Sequence, residues 1–203
     1  MAIDHGRKLV FIHIPKNAGT SIVNSLNVHN PGHQPVSYYV NKIDDWSDYS
    51  KVCILRDPVD RFISSYRFAR MDKSYWHSID GSSPGGKHPD YDLCKQYNIN
   101  EVVDILSKNI STMHIHSHSF RGKRSLMHLG FKTQACWLDM HRDELTYLTM
   151  DNFVDYFTNI GIKLKRTNTT TGTQDAGLDD KSEAILREIY NVDYKLIYEN
   201  ENR

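Results

Sequence analysis

The feature that most constrains this chain is a strand-like run that stops at a turn and continues as a helix, a pattern the sequence carries twice. Lys8 to Ile14 is rich in Val, Ile and Phe and runs straight into Pro15-Lys16-Asn17-Ala18-Gly19. Apolar residues then recur at Ile22, Val23 and Leu26, a helical spacing over Thr20 to Leu26. Lys51 to Leu55 is a second continuous apolar run, ended by Arg56-Asp57-Pro58, after which Val59 to Met71 resumes at helical spacing. Apolar strands alternating with amphipathic helices imply a parallel sheet covered by helices, with ligands bound where strands end. The expected fold class is therefore α/β: a P-loop-like parallel sheet flanked by helices.

The rest of the chain fits that class. Asn27 to Pro35 holds two prolines, a glycine and two histidines and reads as a loop, with Val36 to Ile43 a short helix or irregular segment. Asp72 to Pro89, centred on SSPGGKHP, reads as a surface excursion, a candidate lid. Asn100 to Leu106 predicts a helix capped by Asn100, and Asn152 to Asn159 another, stopped by Gly161. Ala135 to Met140 and Leu145 to Met150 are short apolar runs of strand or strand-adjacent character. After the polar TNTTTGTQDAG stretch, Lys181 to Tyr190 predicts a terminal amphipathic helix with Ile185, Leu186 and Ile189 inward.

At 203 residues the chain is long enough for one substantial core and short for two independent ones, so a single domain over 1–203 is expected, with a variable insertion at about 72–124. Lys plus Arg and Asp plus Glu both number 25, which removes the global basic field of a nonspecific nucleic-acid binder, and any anion site must be local. The apolar run near the start is too short for a signal segment or a membrane span. Cys53, Cys94 and Cys136 lack CxxC spacing and are odd in number, which fits a reducing compartment. The expected location is cytoplasmic.

The segment His13-Ile14-Pro15-Lys16-Asn17-Ala18-Gly19-Thr20-Ser21 puts a lysine, a glycine, two hydroxyls and several backbone N–H groups where a strand hands over to a helix. Glycine lets backbone approach an anion, the helix end adds partial positive charge and Lys16 a full one. This is not GxxxxGK[ST], whose lysine directly precedes the hydroxyl residue, whereas Lys16 precedes Gly19. An ordinary ATPase or kinase is thereby disfavoured; the plain alternative is a tight turn with an incidental lysine. After the second strand, Arg56 at its end and Ser64 two turns into the next helix are spaced to reach one phosphate from two sides. Two anion sites suggest a doubly phosphorylated ligand.

The pair HIPKNAGTS and RDPVDRFISSY resembles the 5′-phosphosulfate and 3′-phosphate motifs of sulfotransferases that use 3′-phosphoadenosine-5′-phosphosulfate (PAPS). The likeness is to the carbohydrate branch containing the chondroitin and heparan 2-O enzymes and their bacterial relatives. It extends in order over Gly32-His33, Gln134 to Asp139, LTMDNFVDYFTNIGIKLKRTN and IYNVDYKLIYE; Asp72 to Arg124 has no match. The resemblance implies a sulfotransferase-type fold, PAPS as donor, no required metal, and transfer to an acceptor hydroxyl on a carbohydrate or small metabolite. It implies that Lys16, Asn17, Ala18, Gly19, Thr20 and Ser21 hold the phosphosulfate, that Arg56 and Ser64 grip the 3′-phosphate, and that Asn168 closes over the nucleotide. Arg61 is either a partner for Asp57 or a ligand contact, the structural reading being favoured.

In-line sulfuryl transfer needs charge stabilisation on the leaving phosphate and a group to take the acceptor's proton. Lys16 is the candidate for the first role. His33 is the candidate base, because imidazole titrates near neutrality and the related branch carries its histidine at this place between the two motifs. Loop capping is the plain alternative for His33, and His29 and Asp44 are its nearest substitutes. His114, His116 and His118 alternate and would share a face of an extended chain, but no Cys or acid completes a metal set at familiar spacing. Arg121, Lys123 and Arg124 follow, a solvated face or a contact for an acidic acceptor. Among the aromatics, Trp137 reads as core and Tyr75 and Trp76 as lid contacts. A noncatalytic nucleotide-binding module and an ATP-dependent small-molecule kinase are the rival readings, the latter requiring a magnesium-holding carboxylate for which Asp57 is available.

Overall fold

The structure, a computed structural model, describes residues 2–28, 32–74, 87–110, 129–165 and 177–201. Its sheet has four strands in the order β1 (Ile3–Asp4), β2 (Leu9–Ile12), β3 (Ser50–Ile54) and β4 (Thr146–Leu148). β1 is antiparallel to β2 with Ile3 opposite Val10, and β2, β3 and β4 are parallel, with Leu9 opposite Ser50 and Val52 opposite Thr146. The expected fold class is what forms. All four β2 residues are buried, as are Val52, Cys53 and Ile54, which explains why these strands read as unbroken apolar runs rather than alternations.

Contacts divide the chain into two compact units. The first comprises 1–56, 134–173 and 195–203 and holds the sheet. There α1 (Gly19–Leu26) and α6 (Phe153–Asn159) bury Ile22, Val23, Leu26 and Phe157 against Leu9, Phe11, Val52, Ile54 and Leu148. The short α2 (Val36–Val40) buries Val36 and Tyr39. Gly161, at φ 78°, follows the end of α6 as the sequence predicts.

The second unit, 57–133 and 174–194, is helical: α3 (Pro58–Ala69), α4 (Tyr91–Gln96), α5 (Ile99–Ser107) and α7 (Asp180–Ile189). They share a core of Phe62, Tyr66, Cys94, Val102, Leu106, Leu186 and Tyr190, so the described part of the stretch read as an insertion supplies interior. Burial pushes the Cys94 thiol up to about 12. Buried donors fasten three consecutive carbonyls of a turn here: Ser65 Oγ donates to Gly130 O at 2.7 Å, Tyr190 OH to Phe131 O at 2.6 Å and Arg61 Nη1 to Lys132 O at 2.6 Å.

Three element expectations need correction. Gln134–Trp137 and Asp139–Glu144 are 3-10 turns, not strand: the buried Gln134 and Trp137 recur with a helical rather than a two-residue period. The cap of α5 is Asn98, whose Oδ1 accepts from the N–H groups of Asn100 (3.0 Å) and Glu101 (3.1 Å) while Glu101 Oε2 accepts from Asn98 N at 2.8 Å. α7 is followed directly by α8 (Asn191–Glu201), a helix the apolar spacing did not reveal. Residues 75–86 of the surface excursion, with the lid residues Tyr75 and Trp76, lie outside the described residues.

Because the Asn98 side chain satisfies two otherwise orphaned N–H groups, Asn98→Ala should lower the unfolding free energy by about 1 kcal/mol. The expected readout is a lower urea midpoint at unchanged slope.

Candidate active site

The site begins where β2 ends. Beyond Ile14 the backbone turns through Lys16 (φ 68°) and Ala18 (φ 57°), both left-handed, before α1 starts at Gly19. For residues with a Cβ this conformation costs about 1–2 kcal/mol each, so the turn is held by its surroundings. Alternation of this kind aims successive backbone N–H groups into one concavity, the shape that receives anions. Ala18 at the N-cap has no side chain able to accept, no side chain caps α1, and its first turn holds no acid. Ser21 N donates back to Ala18 O at 3.0 Å, so the amides at the start of α1 that face a ligand or water are those of Gly19 and Thr20.

Gly19 is required sterically rather than by φ. A Cβ there would lie 1.9 Å from His13 Cδ2 and 2.1 Å from its Nε2. The His13 ring, 5% exposed, therefore lies against the bare Gly19 backbone. On its other side it meets His33, with ring centroids 4.2 Å apart, and His33 Nδ1 lies 2.8 Å from His13 O. A carbonyl only accepts, so His33 Nδ1 carries the proton and donates; in the neutral ring Nε2 then holds the lone pair. His33 is half-buried on the loop after Gly32 (φ 85°) and before α2.

The turn is anchored to β3 by one buried amide. Asn17 Nδ2 donates to Ile54 O and to Gln134 Oε1, both at 2.6 Å. Gln134 Oε1 also accepts from Arg56 N at 3.1 Å, and Gln134 Nε2 donates to Arg56 O at 2.8 Å, so one side chain pairs with both backbone groups of Arg56. Arg56 Nη1 reaches Lys16 O at 3.3 Å. Gln134 is fully buried and Asn17 is 1% exposed.

The first unit thus brings Lys16, Asn17, Ala18, Gly19, Thr20, Ser21, His33 and Arg56 into one neighbourhood, with Asn17 turned inward as a brace and Thr20 exposed. Ser64, on α3 of the second unit, is half-buried. The N-terminus of α3 differs from that of α1: Asp57 caps it by accepting from Asp60 N at 2.9 Å, and Tyr194 OH donates to Asp57 Oδ2 at 3.2 Å. An anionic cap already occupies this helix end. Burial, then the Asp57 charge, push the Tyr194 hydroxyl up to about 12. Arg61 is fully buried with Lys132 O as acceptor, in keeping with its structural reading, although Asp57 serves as a cap instead of its partner.

Asp44 is exposed, and Trp137 is core as expected. His29, His114, His116, His118, Arg121, Lys123, Arg124 and Asn168 lie outside the described residues. Among the described residues no group of three His, Cys, Asp or Glu is arranged to hold a metal, and no helix is long and apolar enough to cross a membrane. Reasoning from sequence assigned no role to Gln134 or to the His13 side chain. For His13 the one signal was a polar residue inside the apolar run LVFIHI; Gln134 stands at the head of ACWL after Lys132-Thr133, where nothing marks it.

The first βα turn of this mostly parallel sheet is a backbone concavity at a strand end, of the kind that receives anions. The model of the sulfotransferase family matches residues 1–198, and the chain belongs to that family. No curated protein and no solved structure is matched by the chain.

Removing the Gln134 amide would take an acceptor from the buried Asn17 Nδ2 and from the part-buried Arg56 N–H, and a donor from Arg56 O. Gln134→Ala should therefore lower the unfolding free energy by about 3 kcal/mol, since each abandoned buried group costs about 1–3 kcal/mol. Urea titration checks this; a loss under about 1 kcal/mol contradicts the brace.

Proposed function

We propose that the chain moves a sulfuryl group from PAPS to a hydroxyl of a carbohydrate or small metabolite, with His33 as base. The observation that carries this reading is the uncapped start of α1 behind a left-handed Lys16–Ala18 turn, with Gly19 bare against His13. Those features fit the phosphosulfate end of the donor: amides for its oxygens, no acidic residue in the first turn, and a lysine at the entry.

When bound, the donor supplies an activated sulfuryl group whose S–O bond to phosphate breaks as the acceptor O–S bond forms. The amides of Gly19 and Thr20, with the Ser21 hydroxyl, hold the anion, and Lys16 neutralises charge on the departing phosphate oxygen. His33 Nε2, its lone pair fixed by the Nδ1 hydrogen bond, takes the hydroxyl proton. Arg56 is assigned to the 3′-phosphate, and Ser64 and Asn168 are assigned to the nucleotide on the motif resemblance alone. The carbohydrate branch rests on the same resemblance. Among the described residues Cys53, Cys94 and Cys136 are free and buried, which fits the cytoplasmic setting we propose.

Calorimetric titration with adenosine 3′,5′-bisphosphate, 5′-AMP and ATP tests the donor assignment. Metal-independent binding that requires the 3′-phosphate, and that weakens at least about tenfold in Arg56→Ala, is expected. Preference for ATP, or no discrimination among the three, would overturn the assignment in favour of a kinase or a regulatory module.

Lys16→Ala and His33→Ala should each lower transfer about a hundredfold or more, and His33→Ala should leave bisphosphate affinity nearly unchanged. Normal turnover in His33→Ala on an acceptor that the wild type sulfates would remove His33 as the base.

A further inference from the structure

We infer that the His13 side chain is a positioning residue that fixes His33 and the Gly19 turn against each other, so that filling the anion cradle is felt at the base. The inference rests on the proposed roles of that cradle and of His33. Three contacts carry it: the His13 ring occupies the space a Cβ on Gly19 would need, its centroid is 4.2 Å from that of His33, and its own carbonyl accepts the His33 Nδ1 proton at 2.8 Å.

The geometry permits little slack. His13 is 5% exposed and its ring also lies 6.0 Å from that of Phe11, inside the apolar β2 face. A ring confined in this way has little room to yield to a shift of the Gly19 backbone, and the His33 ring is packed against it. Close-packed interiors transmit such displacements. An apolar residue would fill the same strand position, so a histidine here, among Leu9, Val10, Phe11 and Ile12, calls for a reason beyond packing. The His33 tautomer belongs to a separate part of the device, because the His13 carbonyl sets it whatever the His13 side chain.

The test uses the full chain and long-range proton–nitrogen correlation of its histidines. In the free protein, His33 should show the proton on Nδ1 and a bare Nε2. Adding adenosine 3′,5′-bisphosphate, and separately inorganic pyrophosphate, should shift the His33 ring nitrogens in the wild type, with a clearly smaller shift in His13→Ala. The same variant should retain the His33 tautomer and lose about tenfold to a hundredfold in kcat, the scale of effect of a displaced catalytic group. His13→Asn, which keeps a polar group in the buried position, serves where His13→Ala fails to fold, and its thermal melt verifies the fold. Equal His33 shifts in wild type and variant, or unchanged kcat, would overturn the inference. A proton found on His33 Nε2 in the free protein would overturn the tautomer. Failure of the wild type to bind either probe would instead overturn the donor reading, while the free-protein spectrum still decides the tautomer.

Discussion

The site depends on one buried amide. Gln134 pairs with both backbone groups of Arg56 as a neighbouring strand would, just past the last residue of β3, and also accepts from Asn17. Parallel strands end in unpaired backbone groups, and those inside a protein need partners. A side-chain amide has the donor and acceptor to supply both at once. By doing so, Gln134 fixes the exit of β3 and the turn after β2 to the same point. The left-handed Lys16 and Ala18 are then tolerated because Asn17 between them is tied at two places. The turn is in this sense held by neutral hydrogen bonds from Asn17.

The two βα turns look alike in sequence and are built for different ends. At α1 the N-cap is Ala18, which cannot accept, while at α3 it is Asp57, which does. The field of a helix start is the same in each case, directed outward at the first amides. One has no acidic side chain at its start and the other is met by an anion within the chain. On the function we propose, the electrostatic part of ligand binding would therefore concentrate at the α1 turn and on the arginine that precedes Asp57.

Much of the fold was legible because its signals are local. Unbroken apolar runs marked β2 and β3, since strands buried on both faces keep no polar alternation, and 3.6-residue spacing marked α1, α3, α6 and α7. What escaped was set by tertiary contact. The 134–144 region is apolar enough for a strand, yet Gln134 must point at Arg56 and Trp137 into the core, which a 3-10 period allows and a two-residue period does not. The α5 cap was misplaced by two residues because Asn98 and Asn100 are chemically equal, and only the reach of Glu101 back to Asn98 N separates them. For the site, Lys16, Gly19 and His33 were readable as chemistry-bearing types. Asn17 was read as a ligand contact because type and position do not reveal that its amide faces inward.

In the role we propose for it, His33 is a base oriented by backbone and not by an acid. In many hydrolases a carboxylate holds the imidazole proton, which also raises the basicity of the ring and stabilises its cationic form. A carbonyl such as His13 O fixes the tautomer as firmly while adding no net charge. Next to a cradle shaped for anionic oxygens, a second carboxylate would oppose the ligand at close range, at a cost that grows as water is excluded. Using β2's own backbone avoids that opposition. The same residue then supplies, through its ring, the wedge that excludes every side chain but glycine's hydrogen from position 19. On the proposed function, one strand end would thus serve an anion and a base without adding a charge that works against either.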